Sequence, residues 1–425
     1  MKKEMANKLI QAIDDEKKDA LLETFRTNYK KTRKILEYIT QRIEEYDGLD
    51  VLDEIEKGIK DNLTFEQLKI IADPKYNLNQ MEIIRTAFKN KVSIDNIRLL
   101  INRKYNLDQM QEIMLGFISN ISLEGIKMYS NESYNSLQMS EIRKALESGF
   151  KEKDLYLFKP EFTHRQLEEI RLGFLSNLSI DKIKIYAKTS FNSYCMEQIR
   201  LGFEHGLDIS KVKFYAKTCF NFNQMNQIRL ALEKGISVNK VKIYFKPKYD
   251  YMMMIEIREA ILNKLSEDQL RLLFIKDFDH YQMREIRLGF EHGLWANQVK
   301  VYANSSYSYS QMIQIRLALE SGIHVEKVKE FFNNSLSYLQ MEQVRYCFED
   351  GLSHREIFLI ANPCFKENQM QKLRQAFSKG LSLNQVRKIA NPDFSSKEMD
   401  KLIYKQVNYK KIKAKENILL NFLVK

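Results

Sequence analysis

Residues 196–224 read MEQIRLGFEHGLDISKVKFYAKTCFNFNQ, and most of the chain is a variation on this stretch. Its first residue is an anchor that recurs at Leu52, Met81, Met110, Met139, Leu167, Met196, Met225, Met254, Met283, Met312, Met341, Met370 and Met399. Each step is 29 residues except Met139 to Leu167, which is 28, so the chain holds twelve complete repeats and the start of a thirteenth. Self-similarity at such a period predicts stacked supersecondary units, none of which can bury its apolar face alone.

With the anchor counted as position 0, each column can be compared across copies of the same chain. Position +3 is aliphatic throughout (Ile55, Ile84, Ile113, Ile142, Ile170, Ile199, Ile228, Ile257, Ile286, Ile315, Val344, Leu373). Together with a mostly Phe or Leu position +7, such as Phe203, Leu232 and Phe290, this is the stripe of an amphipathic helix. Position +10 is Gly seven times and Asn three times (Asn62, Asn120, Asn177), residues that accept the left-handed conformation closing a helix. At +12, Thr64, Ser93, Ser122, Ser179, Asp208, Ser237, Ser266, Ser353 and Ser382 read as N-caps of a second, shorter helix. That helix has an aliphatic centre (Ile183, Val212, Val241, Val299) and ends in steps such as Tyr186-Ala187 and Tyr215-Ala216. A loop with one aromatic follows, as at Tyr76, Phe191, Phe220, Tyr249 and Phe365, and a capping Asn, Asp, Ser or Thr starts the next copy.

For the quoted copy this predicts a long helix from about Ser193 to His205 and a short one from about Ile209 to Ala216. The expected fold is all-α, an α-solenoid of about twelve 29-residue helix-turn-helix repeats with helical caps. Residues 1–51 would form an N-terminal helical cap, 52–398 the solenoid and 399–425 a basic C-terminal capping helix. The Met, Ile, Phe and loop-aromatic columns are its expected core.

Copies following the pattern QMxxIRxGFExGLxxxxVKxYA resemble a 29-residue two-helix repeat family of low-GC Gram-positive bacteria and their mobile elements. The resemblance covers residues 52–398 and implies a fold without implying an activity. Residues 63–72, LTFEQLKIIA, are also similar to the short first helix of TAL-effector-type repeats, which leads into a DNA-reading loop. The loop here lacks the paired glycines of those repeats and the long helix is shorter, so this second likeness concerns topology.

The beginning of the chain, MKKEMANKLIQAIDDEKK, lacks the continuous apolar run of a secretory leader, and no window suggests a membrane span. Cys195, Cys219, Cys347 and Cys364 form no C-x-x-C pair, which points to a reduced, cytoplasmic setting and to small apolar fillers. The six histidines (His164, His205, His280, His292, His324, His354) have no metal-ligand spacing, and no phosphate-cradling glycine loop or nucleophile elbow occurs. The expectation is therefore a protein that is not an enzyme, with no catalytic residues, no metal and no cofactor.

Charge is the remaining signal. The chain carries a net +12. An arginine column at +4 (Arg85, Arg143, Arg171, Arg200, Arg229, Arg258, Arg287, Arg316, Arg345, Arg374) has a Glu four residues on in six members, so its stems are expected to pack between repeats. Lysines of the short helices are expected to be more available. Between 182 and 248 there are 13 basic and 4 acidic residues, and the surplus includes Lys182, Lys184, Lys188, Lys211, Lys213, Lys217, Lys240, Lys242, Lys246 and Lys248. Clustered charge of one sign attracts polyanions. The expected partner is nucleic acid, gripped through phosphates; an acidic protein surface is the alternative. In that alternative the chain is a protein-interaction scaffold or an inhibitor of a host or rival mobile-element protein, using Ile185, Phe214 and Ile243.

Overall fold

In the computed structural model, residues 48–423 are described apart from Pro74, Arg103 and 275–277. Most of the expected N-terminal cap thus lies outside the described residues. Every regular element among the described residues is helical, and no strand occurs. Long and short helices alternate as the period requires, in two compact units, Met1–Thr218 and Cys219–Lys425. Each unit, taken by itself, is an α-solenoid stack of two-helix repeats.

In the quoted copy the helices are Ser193–Glu204 and Ile209–Tyr215, within one residue of expectation. The same register holds elsewhere, as in Leu78–Lys89 with Ile94–Leu100, or Tyr309–Glu320 with Val325–Phe331. The anchors from Met81 to Met399 and the +3 aliphatics from Ile55 to Leu373 are buried, and most of the loop aromatics close the space between repeats. Each fully buried side chain of this kind contributes about 1.5–3 kcal/mol.

The turn after each long helix is made one way throughout. Its +10 residue has positive φ in all twelve repeats, including Lys91 (φ 63) and Lys264 (φ 61), where a side chain must tolerate the left-handed region. In the quoted copy the Leu207 amide donates to the Gly202 carbonyl and the Gly206 amide to Phe203, the two bonds of a Schellman closure. Lysine can stand at +10 because the closing bonds and the apolar residue that follows, Val92 or Leu265, hold the turn.

Two further devices fix the stack. A glutamine at −1 accepts the N-cap amide through its Oε1, and its Nε2 reaches the loop-aromatic carbonyl of the following helix pair. Gln109 meets Tyr134 at 2.7 Å, Gln166 meets Phe191 at 2.6 Å and Gln282 meets Tyr307 at 2.7 Å. One side chain therefore caps a helix and ties it to its neighbour. The second device pairs glycine at +6 with tyrosine at +19. The Tyr129, Tyr186, Tyr215 and Tyr302 hydroxyls donate to carbonyls at +2 of their own long helices, at 3.1–3.2 Å. A Cβ at Gly116, Gly173, Gly202 or Gly289 would overlap those hydroxyls. Where +6 is Ala231, Tyr244 turns its hydroxyl to Glu267 instead.

The 28-residue repeat replaces its short α-helix with a 3₁₀ helix, Glu152–Leu157. Six residues rising about 2.0 Å each span nearly what seven α-helical residues span at about 1.5 Å, so the deletion is absorbed locally. At the far end, Ser396–Leu423 is one continuous helix whose Met399 and Ile403 complete the core. The apolar residues Ile418, Leu419, Leu420, Phe422 and Leu423, expected to seal the stack, have side chains outside the described set.

Candidate functional site

Most of the arginine column is committed within the stack. Arg143, Arg171, Arg200, Arg287 and Arg316 each place Nε 2.7–2.8 Å from a carboxylate at +2 of the preceding repeat: Glu112, Glu141, Glu169, Glu256 and Glu285. Arg143, Arg200, Arg229, Arg287 and Arg316 also hold the Glu four residues on, at 2.6–2.7 Å. These side chains are only 8–13 % exposed. Burial alone would lower the Arg200 pKa, but the hydrogen bonds it donates to Glu169 and Glu204 outweigh this and hold the group charged. Glu204 is held below the ordinary carboxylate range against its burial, by the Ser176 hydroxyl and then by Arg200. A guanidinium so placed has no free face for a phosphate. The stems pack between repeats as expected; the +2 carboxylates are what the sequence reading missed.

The ten lysines separate into two classes. Lys182, Lys211 and Lys240, at +15, are half-buried. Lys182 lies 5.5 Å over the Phe203 ring, Lys211 is 3.4 Å from Asp208 and Lys240 is 3.8 Å from Glu267. The Ser210 hydroxyl and the Lys211 amide hold the Asp208 carboxyl down to about 2, so it offsets the Lys211 charge at any ordinary pH.

Lys184, Lys213 and Lys242 at +17, Lys188, Lys217 and Lys246 at +21, and Lys248 are exposed. No carboxylate pairs with any of these seven among the described residues. Four of these lysines, Lys184, Lys188, Lys213 and Lys217, belong to the first compact unit, on and after the helices Ile180–Tyr186 and Ile209–Tyr215. Lys242, Lys246 and Lys248 belong to the second, on and after Val238–Tyr244. Three of the ammonium groups lie over aromatic rings: Lys184 over Tyr156, Lys217 over Phe214 and Lys248 over Tyr249, at 5.0–5.6 Å from the ring centroids. The same +17 column elsewhere is often neutralised, by Asp95 on Arg98 (3.3 Å), Asp268 on Arg271 (3.7 Å) and Glu326 on Lys329 (2.8 Å).

Other chemistry-bearing groups do not assemble. Among the described residues no three His, Cys, Asp or Glu side chains gather as metal ligands would. His292 and His354 lie 2.8 Å from Glu320 and Glu330. Burial pushes the Cys347 thiol up to about 12, which makes it a packing group. A cleft of about 350 Å³ between His164–Leu175 and Ser193–Glu204 is lined by Arg165, Glu168, Glu169, Ser193, Tyr194 and Glu197, with no His or Cys. No described helix is long and apolar enough to cross a membrane.

One more feature escaped the sequence reading. Exposed tyrosines occur in the first turns of long helices, at Tyr194, Tyr251, Tyr281, Tyr309 and Tyr338.

No family model matches the chain, and neither a curated protein nor a solved structure matches it.

Proposed function

We propose that the protein is a non-enzymatic binder of nucleic acid that holds phosphates through the exposed lysines of its central repeats. The observation that carries this reading is the contrast in pairing: seven ammonium groups between 184 and 248 have no carboxylate partner among the described residues, while the arginines of the same repeats are neutralised internally. A lysine head group is a compact point charge on a flexible stem, with three donors that suit a phosphate oxygen and do not discriminate between bases. The reading therefore implies affinity with little sequence preference.

Neutralising phosphates releases condensed counterions, so affinity must fall linearly with salt on a log–log scale, by about 0.7–0.9 per phosphate. Fluorescence anisotropy of a labelled oligonucleotide across a salt series tests this. A slope corresponding to several phosphates is expected. Failure of the wild-type chain to bind at low salt would overturn the reading.

A second reading, a protein-binding scaffold, is favoured by Ile243, Phe358 and Trp295, which are 58, 67 and 77 % exposed on or beside short helices. It predicts no salt-steep binding of oligonucleotides.

A further inference from the structure

We propose that the nucleic acid is taken up as an unpaired strand, its bases stacking on a row of tyrosines that opens the long helices of the second compact unit. This rests on the phosphate-binding reading and specifies its ligand.

Tyr251, Tyr281, Tyr309 and Tyr338 stand at −3 or −2 of four successive long helices and are 40–47 % exposed. The fold does not require aromatics there. At −3 other copies have Ser136, His164, Ser193 and Glu367, and at −2 they have Asn79, Asp108, Arg165 and Ser310. Tyr281 and Tyr309, from neighbouring helices, stack with ring centroids 5.0 Å apart and planes inclined by 28°, so each turns one face to the other and the pair forms a single aromatic unit. His280 extends it, 4.0 Å from the Tyr281 ring.

Cations lie beside the first two tyrosines of the row. Lys246 and Lys248 sit in the loop that runs directly into Tyr251, and exposed Arg284 is one turn beyond Tyr281. The acids nearest in sequence, Asp250 and Asp279, are occupied as N-caps, accepting from the Met253 and Gln282 amides at 2.8 Å. Base faces are buried inside a duplex, which offers side chains only base edges and phosphates. Aromatic faces beside backbone-tracking cations are the arrangement that suits an unpaired strand, and stacking of this kind tolerates any sequence.

The experiment measures the full-length chain against a labelled single-stranded oligonucleotide and a duplex of equal length at one salt concentration. A second strand carries 2-aminopurine, whose fluorescence is quenched by stacking. The wild type should prefer the single strand by about tenfold or more and quench the probe. The quadruple Tyr251→Ala, Tyr281→Ala, Tyr309→Ala, Tyr338→Ala variant should lose that preference and the quenching while still binding duplex. Tyr→Phe at the same four positions should keep both. If the quadruple Ala variant loses helicity, Tyr281→Ala and Tyr309→Ala singly should each show a partial loss. Equal wild-type affinity for the two forms, or an Ala variant that keeps its preference because the row serves a protein partner, overturns the inference and leaves the phosphate reading intact. No binding of either form at low salt overturns the phosphate reading itself.

Discussion

Arg200 and Lys213 belong to the same repeat, occupy recurring positions and carry the same formal charge, yet they face opposite surroundings. Arg200 lies between stacked long helices and meets Glu169 at 2.8 Å and Glu204 at 2.7 Å. Lys213 lies on the outer arc of a short helix, exposed. Cation content alone therefore says little about which charge a partner can reach. The deciding quantity is depth in the stack: a charge between repeats must be paired there, because an unpaired buried ion costs several kcal/mol. A charge on the outer arc stays hydrated and pairs only if the next turn supplies an acid.

The largest effects should come from breaking the inner pairing. Arg200→Ala should destabilise the chain by about 3 kcal/mol in urea melts, because it strands a carboxylate in the stack. Burial pushes the Glu169 carboxyl up even with Arg200 beside it, so the stranded group should take up a proton and moderate the loss. The acid limb sharpens the test. Glu204 and Glu147 are lowered in the folded state, so their stabilisation is present above the ordinary carboxylate pKa and is lost as pH falls through their depressed values. Arg200→Ala should flatten that loss, and substituting Lys213 should leave it unchanged.

Gly202→Ala comes next, at about 2 kcal/mol, because its Cβ would overlap the Tyr215 hydroxyl. Combining it with Tyr215→Phe should recover most of the loss in the same melts. Repeat 10 already carries that combination as Ala318 with Phe331.

The period, both helices, the turn and the core columns were legible in the sequence because each is a short-range pattern repeated many times. The inner pairing was half legible. The Glu four residues after each Arg was visible, but Glu169 is 31 residues before Arg200, one period plus two, and that spacing emerges only when neighbouring copies are compared. The second role of the −1 glutamines was hidden for the same reason, since Gln166 reaches a carbonyl 25 residues away. Lys91 and Lys264 gave no glycine signal for their left-handed turns. The candidate lysines were legible by number; their division into half-buried +15 and exposed +17 and +21 positions needed the packing.

A smaller effect, of opposite sign, should come from completing the inner row where it is imperfect. Gln343 occupies the +2 position below Arg374, and its Oε1 and the Arg374 Nε are both buried without a partner. Gln343→Glu should supply the carboxylate found at Glu285 or Glu256 and raise stability by about 1 kcal/mol in thermal or urea melts. A loss of stability would show that the pairing geometry has drifted too far at this end.

The central claim is that phosphates are held by the unpaired outer lysines and not by cations at large. It is tested most directly by comparing oligonucleotide binding of two triple variants across a salt series. One is Lys184→Gln, Lys213→Gln, Lys242→Gln; the other is Arg98→Gln, Arg271→Gln, Lys329→Gln, whose cations already have acids. Both sets sit at +17 on short-helix surfaces, so stability should change by no more than a few tenths of a kcal/mol per site. The first variant should lose affinity and flatten the salt slope by about one phosphate equivalent per lysine, and the second should keep the wild-type slope. Equal losses from the two triplets would contradict the claim, since the chain would then be binding through diffuse charge.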